Sequence, residues 1–262
     1  MAYFRVDYYS HALRRETSFE VLFPNDPRPE DPRAAALSAP EGISRTLFLL
    51  HGYTGKAGNY VPEEMPGKYG FAIVMPSAEN SFYLNGLCTG HAFQTFVGEE
   101  LVDYIRRTFR LAMRPEDTGI AGLSMGGFGA LHTGLAYPRT FGKIGAMSSA
   151  FIHHEVAKMK PGGGNSVANY EYYRECFGEP EKLLESDNNP EVLVRKLKAA
   201  GEKIPDIYMA CGTEDFLIEP NRAMHRFLES EGVAHEYHEA PGIHNMDFWS
   251  EHIRYIVQWM FA

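Results

Sequence analysis

Short, continuous apolar runs recur along this chain, separated by stretches whose apolar residues fall at helical spacing. Residues 46–50 (Thr-Leu-Phe-Leu-Leu), 71–75 (Phe-Ala-Ile-Val-Met), 118–121 (Thr-Gly-Ile-Ala), 144–148 (Ile-Gly-Ala-Met-Ser) and 206–212 (Asp-Ile-Tyr-Met-Ala-Cys-Gly) are such runs. A strand buried on both faces reads as an unbroken apolar run, and strands alternating with helices build a mostly parallel sheet covered on both sides. The helical pattern is clearest at residues 93–109, where Phe93, Val97, Leu101, Tyr104, Ile105 and Phe109 share one face and Glu99, Glu100, Asp103, Arg106 and Arg107 the other. Residues 127–137, rich in small side chains, and 219–231 read as further helices; Trp249, Ile253, Ile256 and Met260 mark a last amphipathic one.

Residues 3–9 and 17–23, rich in aromatic and β-branched side chains, read as an antiparallel pair leading into the sheet, and residues 234–240 as one more strand. Residues 56–70 hold too much glycine and proline for a long helix. The stretch 24–42, with Pro24, Pro27, Pro29, Pro32 and Pro40, reads as a surface loop. Residues 151–204 break the alternation with a Pro-Gly-Gly-Gly-Asn loop at 161–165, a cluster of Tyr170, Tyr172, Tyr173 and Phe177, and charged helical patterns at 180–186 and 190–201. A segment this long between two sheet strands is expected to be a cap or lid over the C-terminal edge of the sheet. The expected fold class is therefore α/β: a single domain, 1–262, with a mostly parallel sheet, an antiparallel N-terminal strand pair, helices on both faces and an inserted cap-like segment at 151–204.

Charge narrows the partners. The 262 residues carry a formal net charge of −9, which repels phosphate backbones and anionic bilayers, so neither nucleic acid nor membrane is an expected partner. No apolar run approaches the ~18 residues of a membrane span. Met1-Ala2-Tyr3-Phe4-Arg5 opens without the basic and then apolar pattern of a signal peptide. Cys88, Cys176 and Cys211 are odd in number and widely spaced, which argues against a disulfide framework and for a reducing, cytoplasmic compartment.

In parallel sheets of this kind function gathers at the C-terminal ends of the strands. The segments just past those ends are His51-Gly52-Tyr53-Thr54-Gly55, Gly122-Leu123-Ser124-Met125-Gly126, Glu214-Asp215 and His244. Between a strand and a helix, a serine flanked by glycines sits on a sharp turn, where unpaired helix N–H groups favour developing negative charge. A serine hydroxyl needs a base to become a nucleophile, and a carboxylate is needed to orient an imidazole for that task. Eleven histidines compete for the role. His235 and His238 fall inside a strand pattern, His225 and His252 on helical faces, and His51 at the start of a glycine-rich loop that it shapes; His244 alone sits on the last strand-to-helix loop. Asp215 is the candidate acid, with Glu214 beside it. Two N–H donors are needed for an oxyanion: Met125 supplies one, and the His51–Gly55 turn the other, from Tyr53 or, failing that, Thr54. His153-His154-Glu155 lacks metal-ligand spacing on a helix, and no Walker or dinucleotide glycine pattern is present, so no metal and no cofactor are expected.

With these residues in hand, the chain resembles the α/β-hydrolase superfamily, and within it the putative esterase family, which includes tributyrin esterases, esterase D or S-formylglutathione hydrolases, and feruloyl and acetyl-xylan esterases. The resemblance rests on residues 49–55 (Leu-Leu-His-Gly-Tyr-Thr-Gly), Val74-Met75-Pro76 with Asn80-Ser81-Phe82-Tyr83, residues 122–130 (Gly-Leu-Ser-Met-Gly-Gly-Phe-Gly-Ala), Gly212-Thr213-Glu214-Asp215 and Pro241-Gly242-Ile243-His244. It implies Ser124 as nucleophile, Asp215 and His244 as its triad partners, and Tyr53 and Met125 as oxyanion donors. The glutathione-thioester members carry a cysteine shortly after the oxyanion turn, where this chain has Thr-Gly-Lys-Ala-Gly-Asn-Tyr at 54–60. The expected activity is thus a serine carboxylesterase acting on small acyl esters through an acyl-enzyme, with a feruloyl, cinnamoyl or acetyl-xylan esterase as the close alternative. S-formylglutathione hydrolysis and a non-catalytic binding module rank below these. The expected partner is a small-molecule ester, and self-association into a homo-oligomer is compatible with the sequence.

Overall fold

In the computed structural model, which describes residues 1–24 and 43–262, one eight-stranded sheet runs through the molecule in the order β1-β2-β4-β3-β5-β6-β7-β8. Strands β1 (Ala2–Ser10) and β2 (Arg15–Phe23) form an antiparallel hairpin, and β2 pairs antiparallel with β4 (Phe71–Pro76). The rest of the sheet, β3 (Arg45–Leu50), β5 (Thr118–Leu123), β6 (Lys143–Met147), β7 (Asp206–Gly212) and β8 (His235–Ala240), pairs in parallel, as does β3 with β4. The continuous apolar runs are the central strands: every residue of β4 and β5 is buried. Except for Pro24, the expected proline-rich loop lies outside the described residues.

Alternate residues of each strand feed two cores. Phe48 and Leu50 of β3 face a cluster with Leu101 and Ile105 of α2 (Leu101–Phe109), Phe128 and Leu131 of α3 (Met125–Ala136), and Met224 and Leu228 of a helix at Ile218–Ser230. Leu47 and Leu49 face the opposite cluster, with Met65 of α1 (Glu64–Tyr69) and Ile253, Ile256 and Val257 of the C-terminal helix, Met246–Phe261. The single helix expected over 93–109 is interrupted. A helical turn, Phe93–Thr95, passes into a π-helical turn, Phe96–Glu100, before α2 begins. Apolar periodicity is blind to this, because a π turn inserts one residue without erasing the stripe on either side; here Phe96 and Val97 are both fully buried.

After β4 the chain returns to the far side of β3 to lay down β5. This change of direction opens a crevice beyond the C-terminal ends of β3 and β5, where loops cannot cover the sheet edge. The loops carrying His51 and Ser124 leave the sheet at that point. The segment after β6 forms α4 (His153–Val156), α5 (Tyr170–Phe177), a 3-10 turn at Pro180–Glu185 and α6 (Pro190–Ala200) before β7. No described helix is long and apolar enough to cross a membrane.

Candidate active site

The turn from β5 into α3 is tight enough to exclude side chains on both flanks of Ser124. A Cβ on Gly122 would lie 2.2 Å from the Gly126 carbonyl oxygen, and one on Gly126 would lie 2.5 and 2.6 Å from the carbonyl oxygens of Leu50 and His51. Ser124 itself has φ 55° and ψ −120°, a conformation that L-residues seldom adopt and that persists only when its surroundings over-determine it. They do so here. Its N–H donates to Met147 O at 2.9 Å, and its carbonyl accepts from Gly127, Phe128 and Ala150.

Three side chains from three loops meet at this turn. His244 Nε2 lies 2.9 Å from Ser124 Oγ, and His244 Nδ1 lies 2.8 and 3.0 Å from the two carboxylate oxygens of Asp215. The Asp215 side chain has no exposure to solvent, and its Oδ1 also accepts the Leu217 N–H at 2.8 Å. A carboxylate can only accept, so His244 carries its proton on Nδ1 and turns the lone pair of Nε2 toward the serine hydroxyl. Burial pushes the Asp215 carboxyl up, but hydrogen bonds from His244 and the Leu217 N–H outweigh it and hold the group below its ordinary value. The imidazole is flanked by Phe216 and, edge-on, by Trp249, with ring centroids 4.6 and 4.8 Å away.

Glu214, the alternative acid, does not reach His244. Its carboxylate accepts the Gly242 N–H at 2.6 Å while its own N–H donates to Gly242 O at 3.0 Å, which pins the loop bearing His244 to the loop bearing Asp215. The sequence favoured Asp215 of the two adjacent acids, and the crossing of the two loops gives each a separate partner.

The His51–Gly55 turn is built from within. Ala78 N–H donates to His51 Nε2 at 3.0 Å and His51 Nδ1 donates to Gly52 O at 2.8 Å, so the imidazole is held neutral in one tautomer, and burial lowers its pKa in the same sense. The Tyr60 and Tyr83 hydroxyls cap Leu50 O and His51 O at 3.1 and 2.9 Å. Thr54 N–H is taken by Asn80 Oδ1 at 2.7 Å. The N–H groups of Tyr53 and Met125 have no acceptor among the described residues. Nothing in the spacing of Asn80, Tyr60 and Tyr83 announces these contacts.

The other histidines go elsewhere. His235 Nε2 pairs with His225 Nδ1 at 2.8 Å, His238 stacks on Tyr208 and His252 on Phe248. Ser124, His244, Tyr53 and Met125 instead line one cavity of about 720 Å³, together with Phe82, Ile152, Tyr173, Phe216 and Trp249. The pair His153-His154 joins Glu191 of α6, not its sequence neighbour Glu155.

The family model described as putative esterase matches residues 10–260. The chain belongs to the putative esterase family. It is 40% identical over 267 residues to an acetyl esterase of Caldicellulosiruptor saccharolyticus, covering 99% of this chain and 98% of that one. Solved structures share the fold, two of them as follows. FphF, a fluorophosphonate-binding serine hydrolase of Staphylococcus aureus, has a TM-score of 0.84 at 24% identity, covering 100% of this chain and 98% of that one. A ferulic acid esterase of Anaeromyces mucronatus has 0.67 at 17%, covering 99% and 90%. This esterase-family chain is accordingly a carboxylic ester hydrolase, and it has the α/β-hydrolase fold of these structures.

Proposed function

We propose that Ser124 is the nucleophile, His244 the general base and acid, Asp215 the orienting carboxylate, and the Met125 and Tyr53 N–H groups the oxyanion donors, in a hydrolase of small acyl esters. The observation that carries this reading is the unbroken hydrogen-bonded line from Ser124 Oγ through both imidazole nitrogens to Asp215. As Ser124 Oγ attacks the ester carbonyl carbon, its proton passes to His244 Nε2 and the carbonyl oxygen becomes an oxyanion. Collapse of that intermediate expels the alcohol, which takes the proton from Nε2, and leaves an acyl-Ser124. Water, deprotonated by the same nitrogen, then releases the acid. Thr54 is set aside as the second donor because its N–H is committed to Asn80.

An acetyl group is the favoured acyl moiety, in line with the name of the Caldicellulosiruptor relative. The aromatic side chains of Tyr53, Phe82, Tyr173, Phe216 and Trp249 around the cavity favour a feruloyl or cinnamoyl ester as the second reading. We assign residues 151–204 as a cap on a single domain, supported by Ile152, Glu155, Asn165, Ser166, Val167 and Tyr173, which line that cavity. Free Cys88, Cys176 and Cys211 support a reducing, cytoplasmic setting.

The test is a stopped-flow assay with p-nitrophenyl acetate. A burst of nitrophenolate is expected from the native protein and none from Ser124→Ala, with a fluorophosphonate label appearing on Ser124 only. Undiminished turnover in Ser124→Ala would remove the assignment. Turnover of methyl ferulate above that of short-chain acetyl esters would replace the acetyl reading with the feruloyl one.

A further inference from the structure

Away from the proposed active site, α4 and α6 bring two imidazoles and a carboxylate to one point. His154 Nε2 and His153 Nε2 lie 2.7 and 3.5 Å from the same oxygen, Glu191 Oε1, and one ligand atom from each of the three residues falls within 4.8 Å of the others. The set is graded in burial: side-chain exposure is 2% for His153, 14% for Glu191 and 49% for His154.

We infer that His153, His154 and Glu191 form a binding site for a divalent transition-metal ion of the zinc class, with solvent in the fourth position. Two imidazoles and one carboxylate are a donor set suited to such an ion. Zn–N and Zn–O bonds of about 2.1 Å in a tetrahedron separate ligand atoms by about 3.4 Å. The His153–Glu191 pair already stands at 3.5 Å. His154 Nε2 must move out from 2.7 Å, and as the half-exposed member it has the room to do so. Arg195 also pairs with Glu191. Its Nη2 is 4.0 Å from Glu191 Oε2, but its Nε is engaged by Glu231 at 3.0 Å, which keeps it to one side. The site is independent of the proposed ester chemistry, although α4 also carries Glu155, and Ile152 just before it lines the cavity. An ion would tie that cavity wall to α6.

A second cluster, Cys88, His91 and Glu175, has comparable spacing but is more open. Its thiol is exposed and pushed up by the hydrogen bond to Glu175, away from the thiolate that a metal requires. It supplies the control. Full-length, chelator-stripped protein is titrated with Zn²⁺ by calorimetry and with Co²⁺ by visible absorption. One equivalent is expected to bind, with the visible bands of a four-coordinate cobalt site lacking thiolate charge transfer and a rise in Tm at saturating Zn²⁺. His154→Ala, an exposed change that leaves the fold intact, and Glu191→Gln should each weaken binding about tenfold or more, whereas Cys88→Ser should bind as the native protein does. Absence of binding, unchanged affinity in His154→Ala, loss in Cys88→Ser, or loss on phosphonylation of Ser124 each overturns the assignment.

Discussion

Replacing Asp215 with asparagine leaves the number of side-chain heavy atoms unchanged, yet the structure sets a specific consequence for His244. Asp215 Oδ1 accepts the Leu217 N–H at 2.8 Å, and Oδ2 accepts from His244 Nδ1 at 2.8 Å. An amide keeps its oxygen on the Leu217 side, because reversing it would set a buried N–H against an N–H, at a cost of about 1–3 kcal/mol. Its NH₂ then faces His244 Nδ1, which must become the acceptor. The proton moves to Nε2, and the imidazole donates to Ser124 Oγ when it should accept from it. A base in the wrong tautomer lowers kcat by about 10⁴, or about 5.5 kcal/mol in the barrier. The reversed amide, populated at about a tenth to a hundredth by the cost above, restores the tautomer without the carboxylate's charge and so leaves a floor under the residual activity. Steady-state kcat on p-nitrophenyl acetate reads the effect, and an unchanged Tm shows that the fold persists. A kcat within tenfold of the native value would refute the reasoning; so would a large loss in Glu214→Gln with a small one in Asp215→Asn, which would make Glu214 the acid.

Glu214→Ala removes the acceptor of the Gly242 N–H and unpins the His244 loop, so kcat should fall about tenfold to a hundredfold with KM nearly unchanged; an equal loss on KM alone would point to substrate binding instead. Asn80→Ala releases Thr54 N–H from its 2.7 Å bond and loosens the turn that presents Tyr53, lowering kcat about tenfold, and Asn80→Asp, which keeps the acceptor, should recover most of it. Stability should fall in mild acid. Burial lowers the His132 pKa to about 4, so between pH 6.5 and 4 the unfolded chain binds a proton that the native one does not, and stability is lost as pH falls. By pH 5 this amounts to about 2 kcal/mol. Urea denaturation at pH 7 and pH 5 measures it, and a difference just as large in His132→Gln would exclude His132 as its source.

Much of the site was legible because its parts sit where strands end. Continuous apolar runs can be satisfied only in the middle of a parallel sheet, and once β3, β5 and β7 are placed, His51, Ser124 and Asp215 follow at their C-terminal ends. The turn itself demanded Gly122, which faces the Gly126 carbonyl beside a serine with positive φ, whereas Gly126 is demanded by the Leu50 and His51 carbonyls across space. The π turn at Phe96–Glu100 was not legible, since the apolar stripe on either side of it is intact.

What the chain could not declare on its own are contacts between loops far apart in sequence. The sequence favoured Asp215 over Glu214 and Tyr53 over Thr54, but nothing local gives each its separate partner. The first pair is resolved by Gly242 and His244, and in the second Asn80 claims the Thr54 N–H. The same is true of His153-His154, a pair without ligand spacing until α6 delivers Glu191 from 37 residues away. Residue type and period determine the elements and the chemistry available at their ends, because those depend on neighbours along the chain. Which carboxylate, which N–H and which imidazole is committed depends on who arrives across space, and that was decided only when the loops beyond the sheet met.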